Sequence, residues 1–391
     1  MELICAQLPT RDLAALRATC RGAHRLTHVC FAQRYAEYST DFSEPSLQHL
    51  HALALNPLVR RHIRHLVVLS PEPRLGKDLR CRRAAAGHLR RPLEMPLLRT
   101  LRDDLARRLP HCRSFIISPI LPAGSPAVEG EGESAPPADP PFNPDDVASI
   151  LWEIIADAAL PVQLFWYGRG MNYTSEVMDI ARLPKGLFRH PGFRAGWATL
   201  ENLHLEQTLT PQNYTFLLDL LLHAPALRKL HLSLGDSPIA VEFFADLSRA
   251  VDFAPALERL SLWATAIAPE DLVRLLGKTC ASLKRLILRA VTGVDYASLA
   301  YLHQHHRRFP RLTTLDLNAI RGKVGLVRFT PAQHSPAGQA GLFQLEKNDQ
   351  GAVPSIGLGP DDVVGASYTG PEMGQALDVL VHAWTESAGL Q

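Results

Sequence analysis

The chain has 391 residues and carries 41 lysine and arginine residues against 39 aspartate and glutamate residues, a formal net charge of +2. This near-neutral balance does not by itself indicate a polyanion-binding protein, and the length exceeds what one compact core usually serves. The six cysteines lack C-x-x-C spacing and no apolar run reaches the roughly 20 residues that span a bilayer, so we expect a cytoplasmic or nuclear protein without a membrane segment.

Short helices are predicted for residues 1–42. A proline interrupts the first helix, and a second helix begins at Thr10 with an apolar stripe of Leu13, Leu16 and Cys20. A segment of this size has too little core to fold stably without a neighbour or a partner. One interpretation is an amphipathic cap on the repeats that follow, because repeat arrays need polar ends.

The same segment resembles an F-box, the helical module through which F-box proteins dock on the Skp adaptor of cullin-based ubiquitin ligases. The matching letters are E-L-I-C-x-x-L-P-x-x-D-L-x-x-L-R-x-T-C-R, from Glu2 to Arg21. Leucine repeats follow along the chain, and this order of parts resembles fungal-type F-box proteins with leucine-rich repeats. The resemblance implies that the apolar motif positions face the adaptor or pack inside; these are Leu3, Ile4, Leu8, Pro9, Leu13, Leu16 and Cys20.

Two features depart from the F-box pattern. The leading Leu-Pro of the motif is absent, and Gly22-Ala23-His24 replaces the tryptophan that often follows Cys-Arg. A natural start upstream of Met1 is one interpretation of the first departure. The cap on the repeats stays the alternative interpretation of the whole segment.

From Ser43 onwards, helical stretches alternate with short strands. Each helix ends just before a proline, which disfavours helical geometry at the residue preceding it. We interpret these units as the first, longer repeats of a solenoid, with Trp166 in the place of a buried leucine. The predicted strand segments are 63–68, 112–117 and 164–166.

Two insertions interrupt these first repeats. Residues 74–91 carry seven arginine and lysine residues against one aspartate, but no aromatic side chain on which a base could stack. A solvated helix or loop is therefore favoured there over a nucleic-acid contact. Residues 122–141 are rich in proline, glycine and glutamate and have almost no large apolar residue, which predicts a disordered loop.

Between Trp197 and Ile320 the motif L-x-x-L-x-L occurs five times. Alternation of the last two leucines predicts a strand with one buried face, and the stretches between the motifs follow the helical period. This pattern is typical of leucine-rich repeats, so we predict an α/β solenoid over residues 43–320, with a parallel sheet on the concave side, helices outside and Leu260 buried. The motifs start at Leu200, Leu227, Leu257, Leu283 and Leu312.

Residues that alternate with the buried leucines point to the concave face. There they form a grid with a basic middle and two apolar anchors, and tryptophan and arginine are residue types that often dominate interfaces. The alternative is an ordinary polar face on which Trp263 packs against its neighbours. The predicted target-binding residues are Lys229, His231, Arg259, Trp263, Arg285, Ile287 and Arg289.

Enzyme signatures such as H-E-x-x-H, G-x-S-x-G and the Walker loop are absent from the sequence. The densest histidine group, His303, His305 and His306, has no cysteine or carboxylate nearby in sequence, so we expect neither a metal nor a cofactor. Residues 321–391 lose the leucine pattern, and we predict a weakly ordered tail that ends in a capping helix.

The resemblance and the repeats together predict a substrate-recognition subunit of an SCF-type ubiquitin ligase, without catalysis of its own. Its partners would be a Skp-type adaptor, the cullin ligase and a protein target that the sequence does not identify. The alternative is a ligase-independent repeat scaffold. A nucleic-acid-associated protein that uses residues 74–91 is a third, less favoured class.

Overall fold

The computed structural model describes residues 5, 7–69, 75–84, 87–118, 142–168, 177–322, 326–329, 344–347 and 363–386. They form an α/β structure of two compact units: Met1–Tyr173 with Asp179–Leu200, and Thr174–Met178 with Glu201–Gln391. Within the described part of the chain, no helix is both long and apolar enough to cross a membrane. The loop predicted at residues 122–141 lies outside the described residues.

The described residues of the first unit form six α-helices and four strands. The helices are α1 (Thr10–Thr19), α2 (Arg21–Gln33), α3 (Glu44–Leu55), α4 (Pro96–Asp103), α5 (Pro144–Ala158) and α6 (Pro191–Trp197). The strands, which pair in sequence order and all in parallel, are β1 (Glu37–Thr40), β2 (His65–Val68), β3 (Ser114–Ile117) and β4 (Leu164–Tyr167). Parallel strands joined through helices are the arrangement predicted for this part of the chain.

Strand β1 is missing from the prediction, which assigned Glu37–Thr40 to the amino-terminal helical segment. The strand has only four residues and contains no leucine, so it gives no repeat signal. Its pairing with β2 places Tyr38 beside Leu66. The Tyr38 hydroxyl is buried and donates a hydrogen bond to the Ser46 carbonyl oxygen at 2.7 Å, which ties β1 to α3.

The predicted alternation of buried and exposed side chains in β4 is wrong, because it is shifted by one residue. Phe165 pairs with Phe115 and is fully buried, whereas Trp166 points to the other face and is partly exposed. The three leucine positions of this repeat are therefore filled by Val162, Phe165 and Tyr167. Adjacent apolar residues hide the two-residue period, and a slip of one residue moves a side chain to the opposite face.

The described residues of the second unit form five α-helices and nine strands. The helices are α7 (Tyr214–Leu222), α8 (Pro238–Arg249), α9 (Pro269–Thr279), α10 (Tyr296–Gln304) and α11 (Met373–Ala383). The parallel strands are β5 (Asn202–Glu206), β6 (Lys229–Gly235), β7 (Arg259–Ala266), β8 (Arg285–Thr292) and β9 (Thr314–Asn318). The remaining strands are β10 (Val327–Phe329), β11 (Gln344–Lys347), β12 (Val363–Thr369) and β13 (Trp384–Glu386).

Equivalent leucines of β5–β9 lie side by side. Leu260 pairs with Leu230 on one side and with Leu286 on the other, and it is 2% exposed, which confirms its predicted burial. Burial of a leucine side chain stabilises a fold by roughly 1.5–3 kcal/mol. The core of this unit therefore consists of rows of aliphatic side chains from neighbouring strands. Consecutive helices from α7 to α10 pack against one another.

The sequence predicts helix starts at Asn143-Pro144, at Ser237-Pro238 and near Asp295, and three helices begin there. Asn143 forms a capping box with Asp146 at the start of α5, and Ser237 accepts a hydrogen bond from the Ala240 N–H at the start of α8. Asp295 does the same for the Ser298 N–H in α10. The helical period of the sequence places Val251 in the apolar stripe of α8, but this is wrong, because Val251 lies beyond the end of α8 and is 90% exposed.

The parallel sheet ends differently from the prediction. Strand β12 pairs antiparallel with β9, and β11 pairs antiparallel with β12. The described strands within residues 321–371 are thus ordered parts of the second unit, not a weakly ordered tail. Helix α11 matches the predicted capping helix and packs against α10.

The basic stretch at residues 74–91 is a loop in its described part, and one of its arginines, Arg83, is mostly buried, with a side chain 10% exposed. The Arg83 guanidinium donates two hydrogen bonds of 2.7 Å to the Asp146 carboxylate, which is itself fully buried. Arg182 donates to the same carboxylate at 3.1 Å. Arg90, in contrast, is exposed, so only part of the stretch is the solvated surface that the sequence predicts.

Candidate functional site

Strands β5–β9 present a polar face opposite their leucines. Strand register aligns its side chains in rows: Lys229, Arg259 and Arg285 in the first row, His204, His231, Ser261, Ile287 and Asp316 in the second, and Glu206, Ser233, Trp263, Arg289 and Asn318 in the third. We call this set the polar face. The structure thus brings all seven predicted target-binding residues onto one side of one sheet.

The first row concentrates positive charge. Lys229 and Arg285 are exposed, and Arg259 lies between them on the neighbouring strand. Burial, and secondly the charge of Arg285, lowers the pKa of Arg259 below its ordinary value. Three cations without a described acidic partner in their own row favour an acidic ligand.

The third row contains a stacked cation. The Arg289 guanidinium carbon lies 5.3 Å from the Trp263 ring centroid, and Arg289 donates a 2.6 Å hydrogen bond to the Asp316 carboxylate. Trp263 also meets the His231 ring edge to face at 5.1 Å. Trp263 therefore packs against its neighbours, as the alternative interpretation holds, and its partly exposed surface remains available to a ligand.

Ile287 does not fit its predicted role as an apolar anchor. Its side chain is 9% exposed, because it sits between Ser261 and Asp316, which are themselves 0% and 9% exposed. A side chain needs accessible area to contribute to an interface. The middle row is therefore filled at the Ile287 end, and the accessible residues beside Ile287 lie in the two outer rows.

A cluster that was not predicted from the sequence lies at the other end of the middle row. His204 and His231 are register partners on β5 and β6, and their rings stack at a centroid distance of 3.8 Å. Glu206, two residues after His204 on the same face, bonds the His204 Nε2 at 2.6 Å. The signal was present in the alternation that selected His231, since the same parity selects His204 and Glu206.

The amino-terminal helices place the F-box-like positions in different environments. Leu13 is fully buried, Leu8 and Leu16 are partly exposed, and Pro9 is exposed. Cys20 is exposed and caps α2, because its Sγ accepts the Ala23 N–H at 3.3 Å. That hydrogen bond lowers the pKa of the Cys20 thiol. The predicted adaptor-binding residues Leu3 and Ile4 lie outside the described residues.

Exposed apolar side chains concentrate near the amino terminus. Among the described residues, seven large hydrophobic side chains are exposed, and four of them lie within the first 58 residues. A contiguous exposed apolar patch marks an interaction site, whereas single exposed apolar side chains are ordinary. The four are Leu26 at 61%, Val29 at 40%, Leu55 at 55% and Leu58 at 49%.

The carboxyl-terminal histidine group is structural in character. The His305 ring stacks on Tyr301 at 4.4 Å, and the His306 Nδ1 lies 2.9 Å from the His303 carbonyl oxygen. His303 lies 3.4 Å from Asp378 of α11, a carboxylate that is distant in sequence. The His303–Asp378 contact helps to hold α11 against α10.

The fold and its polar face define an α/β protein whose mostly parallel, open sheet is built from strand–helix repeats. No protein-family model matches the chain, and no curated protein matches it significantly. The family proposed below therefore rests on the sequence motifs and the structure of the chain itself.

Proposed function

We propose that the chain is an F-box-like protein with leucine-rich repeats that serves as the substrate-recognition subunit of an SCF-type ubiquitin ligase. The amino-terminal helices would bind the Skp-type adaptor, and the polar face would bind the protein target. In this function the chain needs no reactive group of its own. A scaffold that holds two reactants together already accelerates their reaction, because it raises their effective concentration.

The observation that carries the adaptor half of the proposal is the exposure of Leu26 and Val29. They lie three residues apart on α2, so they share one face of that helix. The helix is held against α1, where Arg17 donates to the His24 carbonyl oxygen and stacks over Phe31. A rigid helical pair with an apolar edge is suited to docking on another helical protein.

The target half rests on the outer rows of the polar face. Lys229, Arg259 and Arg285 favour an acidic segment, and Trp263 with Arg289 offers an aromatic and cationic contact beside them. Exposed cations of this kind govern the rate and selectivity of association more than its final affinity. The proposed target therefore presents an acidic stretch next to an apolar or aromatic residue.

A ligase-independent repeat scaffold is the second candidate. The complete burial of Leu13 is compatible with this candidate, because a leucine packed inside the helical pair needs no adaptor contact. The two candidates share the polar face and differ only in what the amino-terminal helices contact.

Co-expression with a Skp-type adaptor separates the two. We expect the adaptor to co-purify with the chain and expect Leu26→Asp to abolish co-purification, since a charge on the apolar edge is costly to desolvate. Val251→Asp is the control, because Val251 is even more exposed, at 90% against 61% for Leu26, but lies after the end of α8 in the second unit. If the adaptor does not co-purify with the wild-type chain, the ligase-independent scaffold is favoured.

A further inference from the structure

The His204, Glu206 and His231 side chains form a group of three metal-ligand types at one end of the polar face. One ligand atom from each lies within 4.8 Å of the others. The group arises from strand geometry, because His204 and His231 are register partners and Glu206 follows His204 on the same face. No other such group of three is found among the described residues.

One atom of the group has an unmet bonding capacity. The His231 Nε2 is buried and makes no hydrogen bond, and the closest carboxylate oxygen, from Glu206, is 4.0 Å away. The other ring nitrogen, Nδ1, lies 3.0 Å from the Oγ of fully buried Ser261. When Nδ1–H donates to that hydroxyl, Nε2 carries a lone pair that faces Glu206, which is how outer hydrogen bonds orient metal-binding histidines.

We propose that His204, Glu206 and His231 bind a divalent transition-metal ion, with Zn²⁺ the best match. Two imidazoles and one carboxylate are a recurrent zinc-binding set, with a fourth position left open to water. The group lies on the polar face, so that open position faces the ligand surface and could accept a donor atom from a bound partner.

The distances suit this ion after a small adjustment. Tetrahedral zinc with ligand bonds of about 2.0–2.1 Å separates its ligand atoms by about 3.4 Å. The His204–Glu206 distance of 2.6 Å and the His231–Glu206 distance of 4.0 Å bracket this value. The two rings are stacked without the ion, so binding requires them to rotate until both Nε2 lone pairs converge.

Two charged side chains affect cation binding at this site in opposite directions. Arg259, on the strand next to that of His231, lies in the first row of the polar face. The same Arg259 repels a cation. The Glu206 carboxylate compensates for one positive charge, which is why it is essential to the site.

Calorimetric titration of the chelator-treated, full-length chain with Zn²⁺ at pH 7.5 tests the proposal. We expect one equivalent to bind with a Kd below about 10 µM. Co²⁺ should give the visible absorption of a four- or five-coordinate site. Both signals should be lost in His231→Ala and weakened at least tenfold in Glu206→Gln.

Two control variants make the result decisive. His303→Ala removes a histidine beside a carboxylate elsewhere in the same unit and should leave binding unchanged. Cys20→Ser removes an exposed thiol that could bind zinc by itself and should also leave it unchanged. Binding that persists in a His204→Ala/His231→Ala double variant with a wild-type circular dichroism spectrum, or the absence of binding to the wild-type chain, would overturn the proposal.

Discussion

Asp146 shows how one buried carboxylate organises the first unit. It has no solvent exposure, yet it accepts hydrogen bonds from Arg83, Arg182 and the Asn143 N–H at the start of α5. A buried charge is tolerated only when its partners satisfy it. The sequence presents Arg83 as one of seven cations in a polar stretch, and nothing in that local composition indicates its distant partner.

Removal of Arg83 should destabilise the first unit. We expect Arg83→Met to lower the free energy of unfolding by about 2–4 kcal/mol, because Asp146 would keep Arg182 but lose its two-pronged partner. Arg90→Met, in the exposed part of the same stretch, should change it by less than about 0.5 kcal/mol. Urea unfolding measures both, and equal effects of the two variants would contradict the assignment of Arg83 as a buried partner.

Glu153 gives the first unit a pH dependence. Burial, and secondly the charge of Asp157, raises the pKa of Glu153 from 4.5 to about 7. The folded state therefore binds more protons than the unfolded state between these values, and stability from this group, complete below pH 4.5, is lost as pH rises through 7.

The matching substitution is Glu153→Gln, which cannot ionise. At pH 8 we expect it to raise the free energy of unfolding by up to about 3 kcal/mol, and at pH 4.5 by much less. Denaturant unfolding of both proteins at several pH values from 4.5 to 8 measures this difference. A constant difference between variant and wild type at every pH would show that Glu153 ionises normally.

At the scale of elements, strands β7, β8 and β9 share an unusual backbone feature. Ala264, Ala290 and Ala319 occupy equivalent positions at the end of the polar face and have φ values of 41°, 51° and 51°. A left-handed backbone costs a residue other than glycine about 1–2 kcal/mol. The feature redirects each strand after the third row, so that Thr265 and Val291 become buried.

Ala290→Gly should relieve this strain. Ala290 is exposed, so little packing is lost, and we expect a net gain of about 0.5–1 kcal/mol in the free energy of unfolding. Ala297→Gly, at an exposed helical position in α10, should instead lose about 0.5–1 kcal/mol. Thermal unfolding compares the two, and destabilisation by both would show that Ala290 tolerates its conformation without strain.

Elements differ in how far the sequence determines them. The leucine motifs and the helical period between them predict β5–β9 and α8–α10, because one dominant period marks each element. Strand β4 is out of phase since Phe165 and Trp166 are both apolar, and β1 is too short to show a period. The polar face follows from alternation alone, whereas the depth of Ile287 depends on the sizes of its neighbours across the sheet.

At the scale of the whole molecule, the proposed function assigns the amino-terminal helices and the strand–helix repeats to two different partners. Exposed apolar groups concentrate in the first 58 residues, and cations concentrate on β6–β8. Apolar contacts favour a lasting complex, whereas exposed charges favour rapid and selective encounter. In the proposed function, a permanent ligase partner would bind the apolar residues near the amino terminus. An exchangeable target would bind the cations of β6–β8.

Antiparallel strand β12 could not be predicted from the repeats. It covers the edge of β9, which would otherwise present unpaired backbone groups, and its sequence Val363–Thr369 carries no leucine motif. Its pairing depends on the position of β9 in space, which local composition does not encode.

Ubiquitin transfer in a reconstituted ligase tests the central claim most directly. The purified chain is combined with Skp-type adaptor, cullin–RING core, activating and conjugating enzymes, and modification of the chain's own lysines is followed. The proposed function predicts adaptor-dependent transfer that Leu26→Asp abolishes and Val251→Asp preserves. Transfer that is absent, or unchanged when the adaptor is omitted, would contradict it.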